Sequence, residues 1–305
     1  MLPRIAFLGI GLMGKPMALR LLSAGYPVST WNRSAHKSAA LAPFGAKHTE
    51  DLAGAVKDAE IIVTMLEDGT IVQSVLSQIV DQIKKEALVI DMSSTAQSEA
   101  LTMHVLVNER GNRFIDAPVS GGVVGAERGE LAIMVGGVDE DYQRAQPILQ
   151  CLGRPTLVGG PGCGQLAKLC NQLIVGGTLG IVAEALLLAQ AGGADPAAVR
   201  DAIRGGFAES RILEVHGKRM LDRNFMPGGQ VKSQFKDMAN IMAAAETAGL
   251  QIPLTALASE VFLSIGSEYA SADQSAVLLA LERKNPGKRL GAGQDQVPHK
   301  VGELG

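Results

Sequence analysis

The fold of this chain is decided by its opening stretch, Ile5-Ala6-Phe7-Leu8-Gly9-Ile10-Gly11-Leu12-Met13-Gly14. The four apolar residues from Ile5 to Leu8 have the length and composition of a buried parallel strand. Glycines then follow at the spacing G-x-G-x-x-G, and the segment from Met13 to Ala24 is predicted to be a helix that ends at Gly25. A strand, a tight glycine turn and a helix form the unit that opens a doubly wound parallel α/β sheet.

This glycine turn predicts a dinucleotide site. Gly9 permits the tight turn, Gly11 lets the backbone approach a pyrophosphate, and Gly14 lets the helix pack closely on the strand. The helix N-terminus adds N–H groups without helical partners and a partial positive charge. The whole turn is therefore predicted to bind the cofactor, through Gly9, Ile10, Gly11, Leu12, Met13 and Gly14.

The second strand run, Val28 to Trp31, indicates which dinucleotide is preferred. It ends in Asn32-Arg33-Ser34, whereas a site specific for NAD usually places a carboxylate here to bind the ribose diol. A guanidinium with amide and hydroxyl groups beside it is suited to a 2′-phosphate. The sequence therefore predicts a preference for NADP(H) through Asn32, Arg33 and Ser34, with NAD(H) still able to bind.

Strand-like and helical patterns divide the chain into regions. Short apolar runs at 61–65, 88–91 and 114–116 alternate with amphipathic segments, as in stacked βαβ units, and 131–135 and 155–158 are predicted to extend one sheet edge. Ala/Leu/Met-rich helical patterns then cover 165–191, 196–205, 212–222, 233–248 and 253–267. We therefore predict a Rossmann domain over residues 1–162, an all-helical domain over 163–284 and a disordered tail over 285–305.

Composition limits the partners and the compartment. The 28 basic and 31 acidic residues are mixed, with a net charge of -3, so a nucleic-acid role is not expected. The apolar stretch 173–189 contains Glu184 and several glycines and is predicted to be a buried helix rather than a membrane span. The spacing of Cys151, Cys163 and Cys170 fits neither a disulfide framework nor a zinc cluster, so a cytoplasmic location is expected. No export signal is expected, because the first residues run straight into a strand-like segment. A mechanism without metal is expected, because no pair among His36, His48, His104, His216 and His299 has the spacing of metal ligands.

Three further motifs follow the glycine turn in order. They are Asp116-Ala117-Pro118-Val119-Ser120-Gly121-Gly122, then Gly160-Pro161-Gly162-Cys163-Gly164-Gln165-Leu166-Ala167-Lys168-Leu169-Cys170-Asn171, then Lys236-Asp237. With these motifs the chain resembles the β-hydroxyacid dehydrogenase family over nearly its whole length. The resemblance implies a Rossmann domain, a helical domain used for dimerisation, and an active site in the cleft between them.

The resemblance also implies roles for particular residues. Lys168 corresponds to the catalytic lysine and Asn171 to its substrate-orienting partner, while the substrate carboxylate is expected at Ser120, Gly121 and Gly122. Positions that line the cofactor are Met65, Leu66, Glu67, Thr95 and Lys236, the last near the nicotinamide end. Glu67 stands where relatives often have proline, and the Trp31-Asn32-Arg33 strand end differs from the acidic ends of members that prefer NAD.

These residue types suit the reduction of a carbonyl group. An aldehyde needs a hydride at carbon and a proton at the oxygen that becomes negative, and a lysine ammonium can stabilise that alkoxide and donate the proton. Lys168 and Asn171 are three residues apart, so a helix places them on one face. The loop at Ser120 offers N–H groups and a hydroxyl to a carboxylate. We therefore predict hydride transfer between NADP(H) and a small carboxylate-bearing semialdehyde or 3-hydroxy acid.

The substrate is predicted from segments in the helical half. Arg204-Gly205-Gly206, Leu221-Asp222-Arg223-Asn224-Phe225 and Ala272-Asp273-Gln274-Ser275 resemble the family's reductases of tartronate semialdehyde (2-hydroxy-3-oxopropionate), which implies reduction to glycerate by a homodimer or homotetramer. A 3-hydroxyisobutyrate dehydrogenase, or a related semialdehyde reductase, would share every catalytic residue. A non-catalytic dinucleotide-binding interaction module is an alternative of another class, since a fold does not fix a function.

Overall fold

The computed structural model describes residues 2–298 and divides the chain into two compact units that meet between Lys168 and Leu169. The boundary lies inside one long helix that begins at Cys163. The predicted domain boundary after Gly162 therefore coincides with the start of this helix, six residues before the observed boundary. The first turn of the helix, up to Lys168, belongs to unit 1.

Unit 1 is built on one sheet, which has nine strands within residues 2–298. The order is β3-β2-β1-β4-β5-β6-β8-β7, with β9 paired to β8, and β1 to β6 are parallel. The predicted strands are confirmed, whereas the two-residue strands β3 and β7 are too short for a sequence pattern. The strands are β1 Ile5–Leu8, β2 Val28–Trp31, β3 Lys47–His48, β4 Ile61–Thr64, β5 Leu88–Asp91, β6 Arg113–Asp116, β7 Val119–Ser120, β8 Leu131–Gly136 and β9 Gly153–Gly159.

The sequence predicted a parallel sheet, but the observed sheet is mixed. Strand β8 runs antiparallel to β6 and β7 and parallel to β9. Only Ala117 and Pro118 separate β6 from β7, so both strands pair with the same neighbour, β8. The predicted extension at one edge is confirmed, with a mixed arrangement.

Helices cover both faces of the sheet. Ile5 and Phe7 of β1 enter one apolar core with Met17 and Leu21, while Ala6 and Leu8 enter a second core on the other face. Side chains of a strand alternate between faces, so a strand buried on both sides must be apolar at every position. The helices of unit 1 are α1 Gly14–Ser23, α2 Ala35–Ala39, α3 Leu52–Val56, α4 Gly69–Ile79, α5 Gln97–Asn108, α6 Gly122–Arg128 and α7 Asp139–Gln150.

Unit 2 is helical, as predicted. Asp195 and Ser210 cap the starts of two of its helices through backbone N–H groups. The helix α13 was not predicted, because its residues 277–281 are all buried and show no polar face. The helices are α8 Cys163–Ala191, which starts in unit 1, α9 Pro196–Ile203, α10 Arg211–Leu221, α11 Val231–Thr247, α12 Pro253–Leu263 and α13 Val277–Lys284.

The segment after α13 is packed, so the prediction of a disordered tail is wrong for residues 285–298. Leu290 is fully buried in the core of unit 2. Arg223, only 1% exposed, donates to Glu282 at 2.7 Å and to the Leu290 carbonyl at 2.8 Å, and it also pairs with Asp295. The prediction rested on the polar composition of this segment, which does not show that a buried arginine elsewhere in the chain will bind it. Residues 299–305 of the predicted tail lie outside the described residues.

Helix α8 is only partly the buried helix that was predicted. It buries Leu179, Ala183 and Leu186, but Ile174, Ile181 and Leu188 are 63%, 64% and 73% exposed. The exposed residues recur at seven-residue intervals and form an apolar stripe along one face, named here the α8 stripe. By length and composition α8 could cross a membrane, a property that it shares with core helices of soluble proteins.

Candidate active site

The glycine turn between β1 and α1 has the geometry that a pyrophosphate site requires. Gly9 has a φ of +108°, and a Cβ there would overlap with the Met65 carbonyl oxygen. A Cβ on Gly14 would overlap with the Gly9 carbonyl oxygen, so the helix packs tightly on the turn. A Cβ added at Gly11, in contrast, would meet no atom within 4 Å in the described part of the chain. The backbone at Gly11 is therefore accessible to a ligand, and the residues present fit a dinucleotide.

Asn32 supports the turn from the end of β2. Its Oδ1 accepts from the Ile10 backbone N–H at 2.9 Å, and its Nδ2 donates to the Ser34 carbonyl oxygen at 3.1 Å. The side chain of Asn32 thus holds the glycine turn in shape. Arg33 is exposed beside it, which leaves its guanidinium accessible to solvent at the end of the strand.

The loop after β4 lies against the glycine turn, as the predicted cofactor residues require. A Cβ on Gly9 would come within 2.9 Å of the Leu66 side chain as well as overlapping with Met65. The Leu66 N–H donates to Ser93 Oγ at 2.9 Å, which ties this loop to the one after β5. Glu67 is exposed next in the chain.

The loop after β5 carries Thr95, which is 2% exposed. Its backbone N–H donates to Gln165 Oε1 at 3.1 Å, and Gln165 Nε2 donates to the Ser93 carbonyl oxygen at 2.8 Å. Neither Ser93 nor Gln165 was predicted as a site residue. Gln165 stood inside the quoted glycine-rich motif, but nothing local indicates which distant loop a glutamine will reach.

The predicted carboxylate loop begins at Ser120, the last residue of β7. Gly121 and Gly122 have φ values of +141° and +64°, which a residue with a side chain rarely adopts. Ser120 is half-buried and both glycines are exposed, so backbone and hydroxyl groups are presented without bulky neighbours. This exposure is compatible with the predicted contact to an anionic group.

Lys168 and Asn171 both lie on α8, Lys168 in the part that belongs to unit 1 and Asn171 in the part that belongs to unit 2. Lys168 is 9% exposed although it carries an amine, and its burial sets it apart from an ordinary surface lysine. Asn171 is half-buried and its Nδ2 donates to Gln172 Oε1 at 2.8 Å.

A polar network that was not predicted lies on α8 and α11 within unit 2. Gln172 Nε2 donates to Asp237 Oδ2 at 2.7 Å and to Gln234 Oε1 at 3.3 Å, and it thereby links Asn171 to α11. The Lys236 ammonium lies 3.9 Å from Asp237 Oδ1. Asp237 was not predicted as a site residue, although it was quoted in the motif Lys236-Asp237. That motif was the sequence signal that could have identified it.

Two buried carboxyl groups lie at the carboxyl ends of neighbouring strands, Asp91 on β5 and Asp116 on β6. Burial raises the pKa of Asp91 to about 6, against hydrogen bonds from Ser93 and Thr64 that lower it, and the charge of Asp116 raises it further. Burial also raises the pKa of Asp116, with backbone hydrogen bonds from Gln165 and Gly162 acting in the opposite direction.

The described residues contain no group of three or more His, Cys, Asp or Glu side chains that could hold a metal ion. His299, one of the histidines considered above, lies outside the described part of the chain. The thiols of Cys151, Cys163 and Cys170 are free.

Comparison with known proteins adds independent findings. The family model described as the NAD binding domain of 6-phosphogluconate dehydrogenase matches residues 4–163. A second, described as NAD-binding of NADP-dependent 3-hydroxyisobutyrate dehydrogenase, matches residues 162–281. The two models meet where α8 begins.

Individual relatives cover nearly the whole chain. The 2-hydroxy-3-oxopropionate reductase of Escherichia coli (strain K12) is 40% identical over 92% of this chain and 97% of its own. Among solved structures, a Mycobacterium tuberculosis 3-hydroxyisobutyrate dehydrogenase with L-serine superimposes with a TM-score of 0.85 at 30% identity, covering 92% and 99% of the two chains. Psf3 in complex with NADP+ and 2-OPP has a TM-score of 0.81 at 25% identity, covering 91% and 99%.

The glycine turn, the strand-end loops and the family models together define an oxidoreductase that uses a nicotinamide dinucleotide. The chain belongs to the β-hydroxyacid dehydrogenase family. It is an NAD(P)-dependent dehydrogenase of semialdehydes and hydroxy acids, as predicted. The alternative of a non-catalytic interaction module is set aside.

Proposed function

We propose that this protein reduces tartronate semialdehyde to glycerate with NADPH, with Lys168 as the proton donor. The observation that carries the proposal is the burial of Lys168 in the first turns of α8, three residues before Asn171. Similarity to the E. coli reductase over nearly the whole chain supports the choice of substrate.

The proposed roles follow from the chemistry of a carbonyl group. The nicotinamide, when bound, supplies the hydride that reduces the carbonyl carbon. Lys168 stabilises the negative charge that develops on oxygen and donates its proton there, and a poorly solvated ammonium does this more effectively than one in water. Asn171 orients the same oxygen from one turn along the helix. Ser120, Gly121 and Gly122 bind the carboxylate through a hydroxyl and backbone N–H groups.

The proposed preference for NADP(H) rests on the end of β2. Arg33 is exposed where a carboxylate would bind the ribose diol, and Asn32 is engaged by Ile10 and Ser34. This leaves the guanidinium as the charged group beside the adenosine ribose. The solved relative Psf3 carries NADP+, which supports the same choice.

The substrate proposal is tested by comparing two aldehydes. Tartronate semialdehyde has a hydroxyl at C2 where methylmalonate semialdehyde has a methyl, and a site that hydrogen-bonds the hydroxyl rejects the methyl analogue by about 10⁴-fold. The measurement is kcat/KM for both aldehydes with NADPH and with NADH. A clear preference for the methyl compound would make the protein a 3-hydroxyisobutyrate dehydrogenase, the second candidate, which the similarity to the mycobacterial structure favours.

We also propose that the protein is a homodimer or homotetramer that assembles through unit 2. The α8 stripe, Ile174, Ile181 and Leu188, exposes apolar side chains at the spacing of a helix-to-helix seam. Light scattering of the wild type and of Ile181→Glu tests this proposal, because a buried charge would dissociate the assembly. A monomeric wild type would refute it.

The proposed compartment is the cytoplasm, which the three free thiols support. Fractionation of the cells that produce the protein, with detection by an antibody, checks this location. Recovery in an oxidising compartment would contradict it.

A further inference from the structure

The first turn of α8 is held by a side chain that the proposed reaction does not use. Gln165 is fully buried, and its amide bridges two backbone groups of the loop after β5. Nε2 donates to the Ser93 carbonyl oxygen at 2.8 Å, while Oε1 accepts from the Thr95 N–H at 3.1 Å. An ionised carboxylate could only accept and a thioether could not donate, so an amide suits this position.

Asp116 holds the same turn from β6. Its Oδ1 accepts from the Gly162 N–H and its Oδ2 from the Gln165 N–H, each at 2.8 Å. A Cβ on Gly164 would come within 2.5 Å of the Asp116 and Met134 carbonyl oxygens, so the turn lies directly on the sheet. The start of α8 therefore has little freedom to shift.

Ser93 connects this turn to the remaining loops. Besides accepting from Gln165 through its carbonyl oxygen, it accepts from the Leu66 N–H through Oγ and donates its own N–H to Asp91 Oδ1. A single chain of hydrogen bonds thus joins the loop after β4, the loop after β5 and the start of α8. Two of the residues it reaches, Leu66 and Thr95, are at positions predicted to line the cofactor.

We propose that Gln165 is a positioning residue, which fixes Lys168 relative to the cofactor-lining loop at Thr95. Lys168 follows Gln165 by three residues on α8, so a shift or rotation of the first turn moves both. A displacement of about 1 Å at a reacting group can cost about 10²-fold in rate. The activity readout of this proposal rests on the proposed reductase function.

The first test removes the amide without adding charge. Gln165→Met keeps the length of the side chain and loses both hydrogen bonds, so kcat should fall by about 10- to 100-fold at pH 7.5. KM for the aldehyde should change less, because the carboxylate loop at Ser120 is not bonded to Gln165 in the described residues. The matched control is Gln73→Met, on the exposed face of α4, which should leave both constants unchanged.

A second variant gives a readout that a merely structural role would not produce. In Gln165→Glu the protonated carboxyl can donate to Ser93 and accept from Thr95, whereas the ionised form can only accept. Burial and the neighbouring carboxyls of Asp91 and Asp116 raise the pKa of the introduced group, while the Thr95 N–H and the Lys168 ammonium lower it. The kcat of Gln165→Glu relative to wild type should therefore rise at least about 5-fold as the pH falls from 8 to 6, since both bonds return.

The relative kcat of Gln165→Met should stay constant over the same pH range, as should that of Gln73→Glu. The proposal is overturned if Gln165→Met retains kcat within two-fold of wild type, or if Gln165→Glu shows no rise toward acid pH. Should Gln165→Met fail to fold, the pH series of Gln165→Glu still decides the matter.

NADPH binding separates this proposal from the proposed function. Titration of NADPH fluorescence should show binding weakened about 5-fold in Gln165→Met, because the loops at Leu66 and Thr95 lose their anchor. This result is expected even if the wild type reduces neither aldehyde, in which case only the proposed function fails. Unchanged NADPH affinity in a folded Gln165→Met protein would refute the positioning role.

Discussion

Two helices of unit 1 begin after glycine-rich loops, and their starts are used in opposite ways. At α1 the described residues provide no side-chain cap, and nothing lies within 4 Å of the Cβ position of Gly11. At α8 the Asp116 carboxylate accepts from two N–H groups and the first turn lies on the sheet. The same local chemistry therefore leaves one helix start open to an external anion and occupies the other with a carboxylate of the protein.

This difference assigns the two helices different tasks. An open helix start can receive a pyrophosphate, whereas a filled one makes a rigid support for the side chains that follow. Lys168 lies on the rigid helix and the glycine turn on the receptive one. Substitutions at the start of α8 should accordingly affect the chemistry more than cofactor binding, and substitutions at the start of α1 should affect cofactor binding more than the chemistry.

The largest effect is expected at Lys168. Lys168→Ala removes the proposed proton donor and should lower kcat by a factor on the order of 10² to 10⁴, while NADPH binding remains nearly intact. Lys168→Arg is the matched variant, because it keeps the positive charge but cannot give up its proton at ordinary pH. Steady-state rates with a cofactor titration check this prediction, and a Lys168→Ala enzyme that retains most of its turnover would remove the residue from the mechanism.

Gly164 tests whether the start of α8 is rigid. A Cβ there would press on two carbonyl oxygens at 2.5 Å, so Gly164→Ala should lower the free energy of unfolding by about 2–3 kcal/mol. Gly160→Ala in the same loop is the control, because its Cβ would meet nothing within 4 Å in the described structure. Urea denaturation compares the two, and equal stabilities would show that the turn can move away from the sheet.

Asp91 provides a pH-dependent test of the network below the same turn. Its pKa is raised to about 6, so the folded state binds this proton more tightly than the unfolded state. The wild type should therefore lose stability relative to Asp91→Asn as the pH rises from about 4 to about 6, and the loss should then stay constant. The difference in unfolding free energy between the two proteins should change by about 3 kcal/mol across this window.

Urea denaturation at several pH values measures this difference. Asp116 is present in both proteins, so its own titration largely cancels in the comparison. A difference that does not vary with pH would mean that Asp91 ionises as it does in the unfolded chain.

The smallest effect is expected at the open helix start. Arg33→Ala should lower kcat/KM about 10-fold with NADPH and little with NADH, because the proposed partner of the guanidinium is the 2′-phosphate, which NADH lacks. Lys37→Ala, also exposed and on the following helix, serves as the control. Kinetic constants with both cofactors decide the question, and equal losses for NADPH and NADH would count against a role in cofactor choice.

The two helix starts also show how far prediction from sequence reached. Gly9, Gly11 and Gly14 were predicted correctly in their geometry, since the strand, turn and helix lie within about ten residues and each signal supports the next. In the sequence, the first turn of α8 was only part of the motif from Gly160 to Asn171, and no packing contact was predicted for Gly164. In the structure Gly164 is packed against the sheet, and its role is to let the backbone approach closely.

By itself, the sequence determined the features that depend on neighbours in the chain. These are the alternating strands and helices, the glycine turn, the change to helices after Gly164, and the motif positions of Lys168 and Asn171. The pairing of Gln165 with Ser93 and Thr95, of Asp116 with Gly162, and of Arg223 with Asp295 was decided only in the tertiary structure. These bonds join residues 46 to 72 positions apart. Such pairings depend on which strand ends and loops the fold brings together, and no local pattern of polarity encodes that choice.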